Sequence, residues 1–206
     1  QPVETLYLGG GTPTQLPRQQ FEQLAETALR WHPPVDGYEW TVEANPADVD
    51  EDMIACLTGL GVTRISLGGQ SFQPRKLQLL ERDHSPDEFL RAVTLAQQAG
   101  LSVAIDLIFA TPGETLAEWI ADVRSAIELK PDHISTYGLT IERGTQFFNR
   151  VHRGELIELP DQLQGALYEH AIDTLAAAGY EHYEVSNFAQ PGQRSRHNQV
   201  YWCGEG

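Results

Sequence analysis

Short apolar runs alternate with amphipathic stripes along almost the whole chain, and that alternation limits the possible folds more than any other feature. Strand-like runs fall at residues 5–8, 38–42, 64–67, 102–108 and 133–137, with a later one near 183–185. Each is short and rich in β-branched or aromatic residues, and Gly or Pro follows most of them closely. Between them, Phe21, Leu24, Ala25, Ala28 and Leu29 fall on one helical face. Leu116, Trp119, Ile120, Val123 and Ile127 repeat that stripe, and Leu163, Ala166, Leu167, Ala171, Leu175 and Ala178 make a third. Helices also fit residues 50–60 and 86–98, the latter with Ser85 as N-cap, Pro86 at the first helical position and Gly100 just past the end. Strict β-α-β-α order implies an α/β fold with a parallel sheet and helices outside it. The strands read as mostly apolar on both faces, so burial on both sides is expected. Residues 142–160, with Gly144, Gly154 and Pro160, form the one long irregular connection.

Composition narrows the function classes. Lys and Arg number 14 against 29 Asp and Glu, a formal charge of −15, which argues against a nucleic-acid partner. Hydrophobic residues at 41% and charged residues at 21% are ordinary globular values rather than those of a disordered chain. No apolar run approaches the ~20 residues of a membrane span, so no transmembrane segment and a cytoplasmic setting are expected. Cys56 and Cys203 lie far apart and neither belongs to a C-x-x-C pair, so no disulfide framework or self-contained metal site is expected. Apolar sequence lies close to both ends, from Leu6 at the front to Tyr201-Trp202 before Glu205-Gly206, which suggests a segment of a longer protein.

Polar and glycine residues collect just beyond the strands' C-terminal ends. Gly9-Gly10-Gly11-Thr12-Pro13 follows the first strand, Glu43-Ala44-Asn45-Pro46 the second and Gly68-Gly69-Gln70-Ser71-Phe72 the third. Asp106 lies late in the fourth and Gly138 follows Tyr137 in the fifth. This is the rim where α/β barrels and open α/β sheets place their sites. Each element also has a plain structural explanation: a tight turn, a cap at Glu43, an ion pair at Asp106, a brace at Gln70, a solvated charge at Arg82. The glycines match neither a Rossmann fingerprint, since Thr14 stands where its third Gly belongs, nor a P-loop. Together, two carboxylates, an amide, an Arg and an open glycine turn suit a zwitterionic ligand carrying a sugar.

Those segments, with Asp106-Leu107-Ile108, Ile134-Ser135-Thr136-Tyr137, Tyr183-Glu184-Val185-Ser186-Asn187-Phe188-Ala189 and Arg196-His197-Asn198-Gln199-Val200-Tyr201-Trp202, resemble the radical S-adenosylmethionine (SAM) family of oxygen-independent coproporphyrinogen III oxidase. The resemblance spans essentially the whole chain, and its His-Asn-x-x-Tyr-Trp ending is similar to the haem-chaperone branch. It implies a partial (β/α)6 barrel of which residues 1–180 supply the second to sixth strands, and residues 181–206 begin a C-terminal extension. The first strand, with a three-cysteine loop for a [4Fe-4S] cluster, would precede Gln1, so the cluster cysteines are absent from this chain. By the same resemblance Gly10, Gly11 and Thr12 would hold the amino end of SAM, and Glu43, Gln70, Arg82, Asp106 and Gly138 would line the rest of its site. Departures are Gly69 where the family usually has Val, Glu81 for a usual Gly, and Ala110-Thr111 for Gly-Leu.

The cofactors implied are SAM, the cluster and haem, and the partners are haem or a porphyrinogen together with haem-receiving proteins. Haem binding and delivery is the first expectation. Oxidative decarboxylation of coproporphyrinogen III propionates is the alternative, and a radical SAM methyltransferase the third. In a haem site His197 would offer an imidazole nitrogen, Arg196 would pair with a propionate, and Tyr201 and Trp202 would supply flat apolar walls beside Asn198. On physical grounds alone the structural reading comes first: His-Asn would brace a loop through backbone hydrogen bonds while Tyr-Trp packs against the barrel.

Overall fold

A computed structural model describes residues 2–204; Gln1, Glu205 and Gly206 lie outside the described residues. Seven strands form one sheet among them: β1 (Val3–Leu8), β2 (Pro34–Ala44), β3 (Arg64–Gln70), β4 (Ser102–Phe109), β5 (His133–Gly138), β6 (Glu181–His182) and β7 (Asn187–Ala189). Their order is β1-β2-β3-β4-β5-β7-β6. The first five pair in parallel, as the alternation implied, while β7 runs antiparallel to both β5 and β6. The helices are α1 (Arg18–Trp31), α2 (Glu51–Leu60), α3 (Pro74–Leu79), α4 (Pro86–Gln98), α5 (Leu116–Glu128), α6 (Gln146–His152), α7 (Asp161–Ala177) and α8 (Arg196–Cys203). The arrangement is an α/β half-barrel.

Local chemistry sets these boundaries. At the start of α4, Ser85 and Glu88 form a reciprocal capping box with Pro86 in the first turn, and Gly100 adopts φ +76° beyond the end. Thr115 and Glu118 repeat the box on α5. The expected strand near 183–185 is instead the turn between β6 and β7. Val185 is exposed there, and the short hairpin is closed by the Tyr183 N–H donating to the Asn187 carbonyl. α6 lies inside the stretch expected to be irregular, where Thr145 caps it by accepting from the Phe148 N–H.

The expectation of apolar residues on both faces of the strands needs correction. Val42, Ile65, Leu67, Val103, Ile105, Leu107 and Ile134 do form one buried cluster with Phe21, Leu57, Phe89, Trp119 and Leu167 of the surrounding helices. The alternate residues point the other way and are polar. Tyr7, Thr41, Glu43, Arg64, Ser66, Asp106, His133 and Ser135 line a cavity on the concave side, with Ala104 as the small exception. A (β/α)8 barrel fills that space with branched apolar layers, whereas here it is a polar chamber.

The chain after β7 closes the chamber from below. The Gln190 N–H donates to the Asp132 carbonyl, and Arg64 donates to the Gln193 carbonyl (3.2 Å). The N–H groups of Arg196 and His197 both donate to the Glu39 carboxylate (3.0 Å each), and His197 Nδ1 meets Thr5 Oγ1 (3.1 Å). Residues 190–198 therefore cross from β5 back to β1 beneath the strands' N-terminal ends.

Candidate functional site

Strands β2, β3 and β4 carry Glu43, Gln70 and Asp106 to the upper rim. Glu43, near the end of β2, accepts from the Tyr7 hydroxyl (2.6 Å) and from the Gly10 N–H (3.0 Å). A Cβ at Gly9 would strike both the Glu43 carboxylate and the Tyr7 ring, so this glycine serves an internal close approach rather than a ligand. Gly10, at φ +88°, and Gly11 have open space around them. Gln70 ends β3 in the left-handed region at φ +62°, just after the strand's regular pairing with β4 breaks. Such strain persists only where the surroundings enforce it. Here Asp122 enforces it, accepting from the Ser71 hydroxyl (2.7 Å) and the Phe72 N–H (2.8 Å) directly after Gln70.

Thr12, Glu43, Gln70, Arg82 and Asp106 surround one cavity of about 240 Å³, with Asn45, Ser66 and Gly68 completing its wall. Gly10 adjoins it through Glu43, while Gly138 sits exposed at the end of β5 beside Phe109. The exposed Arg82 has no ion-pair partner among the described residues, and Asn45 steadies the neighbouring loop by donating to Asp83 (2.8 Å). Burial pushes the Asp106 carboxyl up to about 6; Glu43 adds to the shift, and hydrogen bonds from Ser135 and Ser66 oppose it. Burial and the Asp106 charge push Tyr137 up to about 12. Burial, then its hydrogen bond to Glu43, raises Tyr7. The rim is thus rich in acceptors, with one free cation at its edge.

The three departures from the family pattern have local explanations. Phe89 of α4 fills the space that a side chain at Gly69 would need. Glu81 and Ala110 both hold φ above +50°, the conformation a glycine adopts freely. The backbone shape is therefore kept at some cost in strain.

The expected haem segment forms α8, capped by Ser195, which accepts from the Asn198 N–H. Its members point different ways. Arg196 is held by Glu4 (2.9 Å) and the Gly37 carbonyl (2.6 Å). His197 stacks on Tyr7, with ring centroids 5.0 Å apart, and burial lowers its pKa. Asn198 faces the chamber, whereas Tyr201 and Trp202 stand 75% and 63% exposed. Eight polar chamber residues escape the sequence reading as site candidates: Tyr7, Thr41, Arg64, Ser66, His133, Ser135, Tyr137 and Ser195. On the strands they recur at every second position, which places them on one face but does not say whether that face meets solvent or an enclosed space.

Comparison with known proteins agrees with this geometry. The model of the Radical SAM superfamily matches residues 1–126. Heme chaperone HemW of Lactococcus lactis is 42% identical over 98% of this chain and 54% of its own length. Heme chaperone HemW of Escherichia coli is 41% identical over 97% and 52%, and the bovine mitochondrial radical S-adenosyl methionine domain-containing protein 1 is 36% identical over 98% and 46%. The chain thus spans about half the length of the curated relatives it matches. The solved coproporphyrinogen III oxidase HemN of Escherichia coli shares the fold, with a TM-score of 0.82 at 23% identity, over 98% of this chain and 46% of that one. A family match over more than half the residues, on a half-barrel whose polar groups gather at the strand ends, means that this chain belongs to the radical SAM superfamily.

Proposed function

We propose that the rim cavity binds SAM and that the chain is the barrel portion of a haem-handling protein, with α8 meeting the haem. One observation carries the SAM assignment: residues from five separate chain segments converge on a single acceptor-rich cavity at the strand ends. The donor set fits SAM. Glu43 and Asp106 suit ribose hydroxyls or an ammonium group, Gly10 and Gly11 admit the amino end, and the free fork of Arg82 suits a carboxylate. Bound SAM supplies one-electron radical chemistry when an iron–sulfur cluster reduces it. The described residues do not fit such a cluster. No three His, Cys, Asp or Glu side chains among them could share a metal, and Cys56 and Cys203 stand on separate helices. We assign the cluster thiolates to the length of the relatives that this chain does not span.

The haem part rests on relatives named haem chaperones at 34–42% identity. Haem-receiving proteins are the partners this role requires. No helix in the described residues is long and apolar enough to cross a membrane. That and the unpaired cysteines suit a cytoplasmic setting. Coproporphyrinogen oxidation is the second reading, supported by likeness of fold; no observation favours a methyltransferase.

Calorimetric titration with SAM tests the site. Glu43→Gln and Asp106→Asn should each weaken binding by about 0.5–1.5 kcal/mol if the lost partner is a neutral hydroxyl; unchanged affinity in both overturns the assignment. For haem, Thr5 occupies Nδ1 of His197 and leaves Nε2 to iron, so His197→Ala should alter the haem absorption spectrum. An unaltered spectrum makes α8 a structural brace. Turnover of coproporphyrinogen III by the longer protein with SAM and reductant would favour the oxidase.

A further inference from the structure

Beneath the rim lies the second cavity, of about 280 Å³, which shares Glu43, Ser66 and Asp106 with the first. Its floor holds an unusual collection of unmet polar atoms. Arg64, the first residue of β3, is only 4% exposed. Its Nη1 donates to the Gln193 carbonyl (3.2 Å) and reaches Ser102 Oγ at 3.4 Å, whereas Nη2 has no partner. No carboxylate among the described residues lies within ion-pair distance of this guanidinium. His133, 2% exposed, meets the Tyr183 hydroxyl through Nε2 (2.7 Å) and leaves Nδ1 without a partner. The hydroxyl of Thr41, 1% exposed, is likewise unmet. All three residues line this one cavity.

Buried polar groups are normally paired, and a buried cation above all. Three unmet groups around one space, one of them a full positive charge, describe a site complementary to an anion. The other contents of the chamber set the anion's size and charge. Glu43 and Asp106 form its upper wall, so a dianion would face two carboxylates, whereas a monoanion can keep its charge at the floor. A planar carboxylate presents two oxygens side by side. One suits Arg64 Nη2 and the other the Thr41 hydroxyl, or His133 Nδ1–H in the tautomer whose Nε2 accepts from Tyr183.

We infer that this chamber is a binding site for a small carboxylate, anchored by Arg64 with Thr41 and His133 and reached through the rim opening. The site is separate from the SAM assignment, because none of these three anchors lines the rim cavity.

Acetate is the probe. The full chain is titrated with sodium acetate replacing sodium chloride at constant ionic strength, while the imidazole resonances of His133 are followed by NMR. The signals should move in a saturable way, and methylammonium chloride in place of sodium chloride should leave them still. Arg64→Met should weaken acetate binding about tenfold or more, as expected for loss of a charge-assisted hydrogen bond. Thr41→Val, which keeps the side chain's shape, should weaken it several-fold and covers the case in which the arginine variant fails to fold. The inference is overturned if acetate leaves the His133 signals in place, which means that water alone fills the chamber. An equal response to methylammonium, or unchanged acetate affinity in a folded Arg64→Met or Thr41→Val, overturns it too.

Discussion

Replacing Asp122 by Asn should cost this protein a large share of its stability while barely changing its shape. Asp122 is fully buried and accepts from the Ser71 hydroxyl, the Phe72 N–H and the Lys76 ammonium (3.1 Å). Lys76, 3% exposed, also reaches Glu114 (2.5 Å) and lies 5.0 Å from the centre of the Trp119 ring. The amide oxygen of Asn could still serve Phe72, but its NH2 group would oppose the Lys76 ammonium, donor against donor. Breaking a buried pair costs about 3–5 kcal/mol. Because Lys76 keeps Glu114, the low end applies, so about 3 kcal/mol is expected out of a typical total of about 5–15 kcal/mol. Urea unfolding followed by circular dichroism measures it. Glu51→Gln, which breaks the exposed pair with Arg91 (2.9 Å), is the control. Its cost should be small beside that of Asp122→Asn, and smaller still in high salt. The Asp122 cost should be insensitive to salt. A loss under about 1 kcal/mol, or one that salt halves, refutes the claim that a dry ion network holds this corner.

Other outcomes follow from single sites. The Asp106 carboxyl is raised from 3.8 to about 6, so the folded state holds its proton longer than the unfolded one and stability falls as pH rises across that window. Asp106→Asn should therefore gain about 3 kcal/mol over wild type at pH 8 and little at pH 4, measured as the difference between two pH-dependent unfolding series; a flat difference refutes it. Burial lowers His133 well below 6.5, so it acts oppositely, with stability lost as pH falls below about 6.5. His133→Gln should flatten the acid side of the profile. Glu81→Gly and Ala110→Gly should each stabilise by about 0.5–1 kcal/mol by relieving a left-handed backbone, and thermal melts check it. Gly69→Ala should destabilise by about 1–3 kcal/mol through overpacking against Phe89, and a Phe89→Leu background should recover part of that loss; additive losses would show that the two positions do not share space.

The alternation of elements was legible because it depends on local rules. The α4 bounds come from a serine, a proline and a glycine whose backbone demands are the same in any context. The rim was legible for a different reason: glycines and carboxylates gathered at strand end after strand end break the apolar pattern of the core, so they stand out against it. The chamber was not read. In Arg64-Ile65-Ser66-Leu67 the apolar residues mark a strand, and nothing local says whether the polar partners face solvent or an enclosed space. The return of residues 190–198 beneath the sheet covers Arg64, a contact that joins positions more than a hundred residues apart, and Tyr183 covers His133 from fifty residues away. The turn near Val185 was misread because β-branched and aromatic residues signal a strand whether or not a neighbour offers pairing. The orientation of α8 was hidden likewise, since the partner of Arg196 is Glu4 at the other end of the chain.

A polar interior changes where this half-barrel keeps its stability. A closed barrel packs branched side chains on both faces of its strands, whereas here the concave face carries hydroxyls, carboxylates and an arginine, and the apolar cluster lies on the helical side alone. The concave side must then be held by directed bonds. Glu39 receives two backbone N–H groups of the return segment, and His197 lies against Tyr7 and Thr5. Tyr7 in turn donates to Glu43 at the rim. One aromatic side chain therefore touches both the segment that closes the floor and the carboxylate that faces the opening. A shift of α8 that moved His197 would press on the hydroxyl that orients Glu43, so the two ends of the chamber are mechanically joined through Tyr7.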